Sequence, residues 1–123
     1  MVIQIVLLAA LAAGNDKEAD EAIHRFKAGY RNPSAPARAA AVTELARVHH
    51  EKVLKQLAML LTSDENVVRE AAAKGIGGFT EHRRLASSLL QAALGPNGKE
   101  PGVVAVILEA LGAVGEPSAL SVL

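Results

Sequence analysis

Four histidines, two adjacent serines and several carboxylates are the residues of this 123-residue chain with chemistry to offer. His49 and His50 precede Glu51, and His82 follows Glu81. Imidazole nitrogens and carboxylate oxygens are zinc donors, and a zinc site needs about four of them converging on one point. If successive turns stack along one edge, His49 or His50 approaches His82, and Glu51 or Glu81 completes the set. The plainer reading is that short polar turns accept His for capping and solvation. No metal or other cofactor is therefore expected. His24 falls on the polar side of the first helix and reads as solvated. Ser87 and Ser88 lie close to His82 in sequence, but no Asp or Glu is placed to orient the imidazole as nucleophilic catalysis requires. Asp20 and Glu21 sit on an exposed helix face, where water is their expected partner. Gly77-Gly78 joins no strand to a helix, so a phosphate cradle is not indicated. The reading is of a binding protein and not an enzyme.

The composition agrees with that reading. Thirteen basic and thirteen acidic residues give a formal charge of zero. A nucleic-acid binder normally carries a basic excess, because phosphate neutralisation supplies most of its affinity. No nucleic-acid partner is expected. Half the chain is hydrophobic, yet aromatic residues are only 2% (Phe26, Tyr30 and Phe79). The remainder is mostly Ala, Leu and Val, which suit close helix-on-helix packing and, for Ala and Leu, strong helix formation. There is no cysteine, so disulfides and thiolate sites are excluded.

Those residues are positioned by a repeat. Arg38 to Val48 matches Arg69 to Phe79 at an offset of 31, and Val104 to Val114 follows at a further 35. Ile107, Leu108, Leu111, Gly112 and Val114 then align with Ala72, Ala73, Ile76, Gly77 and Phe79. Each copy carries a second helix: Val53, Leu54, Leu57, Ala58 and Leu61 pair with Leu85, Ala86, Leu89, Leu90 and Ala93 at an offset of 32. The spacing makes an apolar stripe on a 3.6-residue period. Each unit is a helix A, a tight turn and a helix B, and neither helix hides its stripe alone. Stacking closes the core, which predicts an all-α solenoid, a superhelix of helical hairpins. Asp16 to Gly29 reads as a capping helix, with Ala19, Ala22, Ile23, Phe26 and Tyr30 on one face. Ser63 and Asp64 read as caps for the second helix A, and Gly95 to Gly102 as the longest loop.

The organisation expected is a capping helix over 15–31, repeat 1 over 32–62, repeat 2 over 63–99 and an incomplete repeat 3 over 100–123, so that the chain reads as a piece of a longer array. Residues 1–14 stand apart. Ile3 to Ala13 is apolar except for Gln4, too short to span a bilayer and ending in the small-x-small pattern Ala10-Leu11-Ala12. The segment reads as an export signal that lacks a basic start, with a periplasmic or secreted location implied; a buried first helix and a chain truncated upstream are the other readings.

Asp64-Glu65-Asn66-Val67-Val68-Arg69-Glu70-Ala71-Ala72-Ala73-Lys74-Gly75-Ile76-Gly77 resembles the signature of HEAT repeats, closest to the short HEAT-like class of phycobilisome lyases. Leu111 to Leu120 resembles that family's A–B turn. The resemblance implies a structural ladder between neighbouring repeats, built from Asp64, Arg69 and Arg38. It implies a ladder weakening toward the C-terminus, where Val104 replaces the Arg. It also implies that the B helices line a concave face. Lys52, Lys55, Gln56 and Met59, aligned with Arg84, Ser87, Ser88 and Gln91, would then form a mildly basic groove for a protein or acidic peptide segment. A lyase-like subunit with a bound cofactor is the competing implication. Gly75, where Ala is usual, implies a close neighbour.

Overall fold

The computed structural model describes residues 15–115. The expected export signal, and the end of the third repeat beyond Gly115, lie outside them. Local sequence explains where each helix starts. α1 (Asp16–Gly29) follows Asn15, whose side chain accepts from the Glu18 amide at 2.8 Å, with Asp16 and Glu18 in the first turn and Lys27 in the last. This charge order complements the helix dipole. α2 (Ala35–Leu45) is capped by Ser34 and has Pro36 in its first turn, where a missing N–H costs nothing. α3 (Glu51–Met59) is capped by His50, whose Nδ1 accepts from the Lys52 amide at 3.0 Å. α4 (Asn66–Ile76) begins at Glu65 without a side-chain cap. Ser63 instead donates to the Met59 carbonyl, and Asp64 points away toward the preceding repeat. A 3-10 turn (Thr80–His82) leads into α5 (Arg83–Leu94). α6 (Pro101–Val114) ends at Gly115, whose φ of 71° makes a left-handed cap with its N–H on the Leu111 carbonyl.

The helices form two layers. α2, α4 and α6, the A helices, stack in a row, while the B helices α1, α3 and α5 cover them, each packing on the A helix that follows it. Among the described residues there is no strand. The core runs the length of the stack through Phe26, Leu45, Leu54, Leu57, Ile76, Phe79, Leu90, Ile107 and Leu111. No described helix is long and apolar enough to cross a membrane.

Small residues set the spacing of the A layer. A Cβ on Gly75 would lie 2.7 Å from the Ala46 Cβ, closer than two such atoms come. A Cβ on Gly77 would lie 3.1 Å from the Ala110 backbone. Gly75 is therefore needed at its mid-helix position by the contact with α2, despite its poor helix propensity.

The B helices correct one reading. Val53, Leu54, Leu57, Leu60 and Leu61 are buried in α3; in α5 and its end the buried or half-buried counterparts are Ala86, Ser87, Leu90, Ala93 and Leu94. The offset is 33, not 32: α5 starts 32 residues after α3, and its buried face comes one residue further along the helix. The slip moves each α5 side chain about 100° around its helix.

Candidate partner-binding face

Two edges and one face of the stack carry polar side chains. On the edge where B helices hand over to A helices, Arg38 reaches Asp64 twice, Nη2 to Oδ1 at 2.9 Å and Nε to Oδ2 at 3.1 Å. The other nitrogen, Nη1, donates to the carbonyls of Asn32 and Pro33. The Tyr30 hydroxyl and the Glu65 amide also donate to Asp64. Surrounded by donors, the carboxyl is held down at about 2, chiefly by the hydrogen bond from Arg38, against an opposing push from burial. Tyr30 is pushed up to about 12, first by burial and then by Asp64.

The next rung differs. Arg69 Nε donates to the Asp64 carbonyl at 2.6 Å, and its Nη1 to Asn97 Oδ1 at 3.0 Å. Asn97 is fully buried, and its amide nitrogen donates to the carbonyls of Leu61 and Ala93, both at 2.9 Å. Asn97 follows Asp64 by 33 residues, so it fills the acidic position of the ladder with a neutral group. The site needs an acceptor toward Arg69 and donors toward two carbonyls, which an amide supplies and a carboxylate does not. The ladder thus loses its charge at its second rung, one copy before Val104. Sequence reasoning placed Asn97 in an open loop. The 33-residue spacing from Asp64 was the available signal.

On the opposite edge, histidine–carboxylate pairs tie neighbouring units together. His50 Nε2 lies 2.6 Å from Asp16, and His49 Nδ1 lies 3.0 Å from Glu81. His49 and His82 both sit against Phe79, with ring centroids 4.7 and 6.4 Å away. Among the described residues no three of His, Asp, Glu and Cys converge as a metal site would need. The sequence's pairing of His49 or His50 with His82 is replaced by pairings with acids.

The B-helix face is the remaining candidate, and the corrected register changes it. Lys52 and Lys55 are exposed on α3, Gln56 is half-buried, and Met59 is 65% exposed. Lys52 meets Asp20 of α1 at 3.1 Å, so its charge is partly answered within the chain. On α5, Arg84 and Ser88 are exposed, and neither Lys55 nor Arg84 forms an ion pair with a described residue. Ser87 does not belong to the face: it is 1% exposed, occupies the core position equivalent to Leu54, and accepts from Gln91 Nε2 at 2.9 Å. Gln91 is half-buried by that bond and is partly removed from the face too. The positions in register with Lys52, Lys55, Gln56 and Met59 are Leu85, Ser88, Leu89 and Ala92. The face therefore runs from charged on α3 to largely apolar on α5.

A stack of helix pairs with a ladder joining one pair to the next is now in view. The family described as HEAT repeats matches the chain over residues 23–97. This chain belongs to the HEAT repeat family. The match runs from the middle of α1 through α5 of the HEAT stack, and α6 extends the A layer by one more helix. No curated protein and no solved structure matches the chain. HEAT repeats generally serve as protein-interaction scaffolds.

Proposed function

We propose that this HEAT array holds a segment of another protein across the B-helix face of α3 and α5. The observation that supports this reading is Met59, a long apolar side chain left 65% exposed, where among the described residues every other large apolar side chain except Val67 is buried or half-buried. Lys55 lies one turn before it and Arg84 stands exposed at the start of the next helix, neither in an ion pair with a described residue, and Leu85 and Leu89 are half-buried on that helix. An extended apolar strip with a basic border fits a partner segment that carries apolar side chains beside carboxylates. Charged borders set orientation and encounter rate, while the apolar centre supplies most of the affinity. Lys52, already engaged by Asp20, and Gln56 form the near rim of the strip, with Ser88 on its far side.

The test is capture with matched baits, the wild-type chain and the triple variant M59D/K55E/R84E, scored by quantitative mass spectrometry from the cells of origin. All three residues are exposed, so the melting temperature should stay within roughly 2–4 °C of wild type. Specific partners should fall at least tenfold on the variant. Equal recovery on both baits places the interface elsewhere.

A further inference from the structure

The chain has four asparagines, and only Asn97 precedes a glycine. Asn15, Asn32 and Asn66 are exposed, and the residues after them are Asp16, Pro33 and Val67. Asn97, followed by Gly98, is fully buried. Asn-Gly is the dipeptide in which the next backbone nitrogen attacks the carboxamide most readily, because glycine has no Cβ to hinder the approach. The fold fixes both residues for other reasons. An amide at position 97 serves Arg69 on one side and the carbonyls of Leu61 and Ala93 on the other. A Cβ on Gly98 would lie 3.2 Å from the Gly95 carbonyl oxygen, so a side chain there crowds the turn. A reactive pair is thus built into the connection between α5 and α6.

The closed rung also holds the pair apart. Asn97 Oδ1 accepts from Arg69 at 3.0 Å, and Nδ2 donates to its two carbonyls at 2.9 Å. The Gly98 N–H donates to the Gly95 carbonyl at 3.0 Å, and the Asn97 carbonyl accepts from the Glu100 amide at 2.9 Å. Attack would require the Gly98 nitrogen to leave Gly95 and turn onto the Asn97 side chain. Water, which must finish the reaction, does not reach a fully buried residue.

We propose that Asn97-Gly98 is a self-modification site that the second rung keeps shut, and that opening the rung commits it to an irreversible change. On opening, the Gly98 nitrogen gives its proton to solvent base and bonds to Asn97 Cγ. The Cγ–Nδ2 bond breaks, and the nitrogen takes a proton from water and leaves as ammonia. Water then adds to either carbonyl of the cyclic imide, giving aspartate or isoaspartate. Aspartate places a carboxylate against the Leu61 and Ala93 carbonyls and lacks the donors they use. Isoaspartate also reroutes the backbone through the side-chain carbon. Neither product rebuilds the rung, so a stack that has opened there is marked and stays weakened.

The test incubates the full chain in mildly alkaline buffer, folded and in urea, and follows each asparagine by peptide mapping. In urea, Asn97 should convert faster than Asn15, Asn32 and Asn66. In the folded chain it should convert roughly tenfold or more slowly than in urea, since only the open fraction reacts. Arg69→Ala removes one bond to the carboxamide and should speed the folded reaction roughly 2–10-fold while leaving the rate in urea unchanged. Arg69→Lys, which keeps the charge and loses Nη1, serves the same comparison should Arg69→Ala fail to fold. The converted fraction, isolated by ion exchange, should melt roughly 5 °C or more below the parent. Equal rates in the folded and unfolded chains, no effect of the Arg69 change, or an unaltered melting temperature after conversion overturns the proposal.

Discussion

Exchanging the two rungs of the ladder, Asp64→Asn and Asn97→Asp, should destabilise the array at both positions for opposite reasons. Asp64 accepts from Arg38, Tyr30 and the Glu65 amide, and its carboxyl is drawn from 3.8 to about 2. Each pH unit of such a shift corresponds to 1.36 kcal/mol, so the ionised form contributes up to about 2 kcal/mol at neutral pH. The folded value is the lower one, so this stability is complete above the ordinary aspartate range and is lost as pH falls through 3.8 toward 2. Asn at position 64 keeps the shape and one good acceptor but no charge. Urea unfolding followed by circular dichroism should show a loss of up to about 2 kcal/mol at pH 7, roughly 10 °C in melting temperature for a domain of this size. The gap between variant and wild type should shrink toward zero near pH 2. Asn97→Asp should cost about 2–4 kcal/mol, since it buries a carboxylate against the carbonyls of Leu61 and Ala93 and removes the donors they use. A deficit of equal size at pH 7 and pH 2.5 for Asp64→Asn would refute the electrostatic reasoning and assign the loss to packing.

Tyr30 is the only tyrosine, so absorbance at 295 nm reports it alone. Its midpoint should lie near 12 and move part of the way back toward 10 in Asp64→Asn, and the stability held by the neutral phenol should persist below pH 10 and vanish as pH rises through 12. Gly75→Ala should destabilise by about 1–3 kcal/mol despite the better helix propensity, because its new Cβ meets Ala46. Ala46→Gly in the same chain should recover part of that loss, and simple additivity in the double-mutant cycle would argue against the contact. Ser87→Lys should unfold the protein or cost over about 3 kcal/mol, whereas Ser88→Lys should change urea stability by less than about 0.5 kcal/mol. Equal effects at the two serines would contradict the register of α5.

The helical class and the A-layer periodicity were legible because they depend on short-range pattern, whereas the ladder of Asp64, Arg69 and Arg38 was implied only by the family resemblance, and the structure pairs Arg38 with Asp64 and Arg69 with Asn97. The residues that report the periodicity (Val42, Leu45, Ile76 and Leu111) repeat at fixed offsets and are buried. The register of α5 was not legible, for a specific reason. Leu85-Ala86 and Leu89-Leu90 make two apolar doublets, so the stripe looks equally good one residue earlier, and the buried member Ser87 is polar. The burial of Ser87 and its hydrogen bond from Gln91 show the register. Asn97 was hidden in a run of Gly and Pro that reads as exposed turn. Its burial depends on the Leu61 carbonyl, 36 residues away, which no local pattern encodes. The histidines show the same limit, since their acid partners Asp16 and Glu81 lie 34 and 32 residues off in sequence.

The unequal packing of the two layers has a mechanical consequence. Gly75 against Ala46 and Gly77 against Ala110 set the A helices backbone to backbone, with no long side chain between them to yield. α3 and α5 touch far less, and Met59 on α3 is largely exposed. Strain applied along the stack is therefore unevenly shared. The A layer is expected to act as a stiff spine, with bending of the array taken up by the more loosely joined B helices.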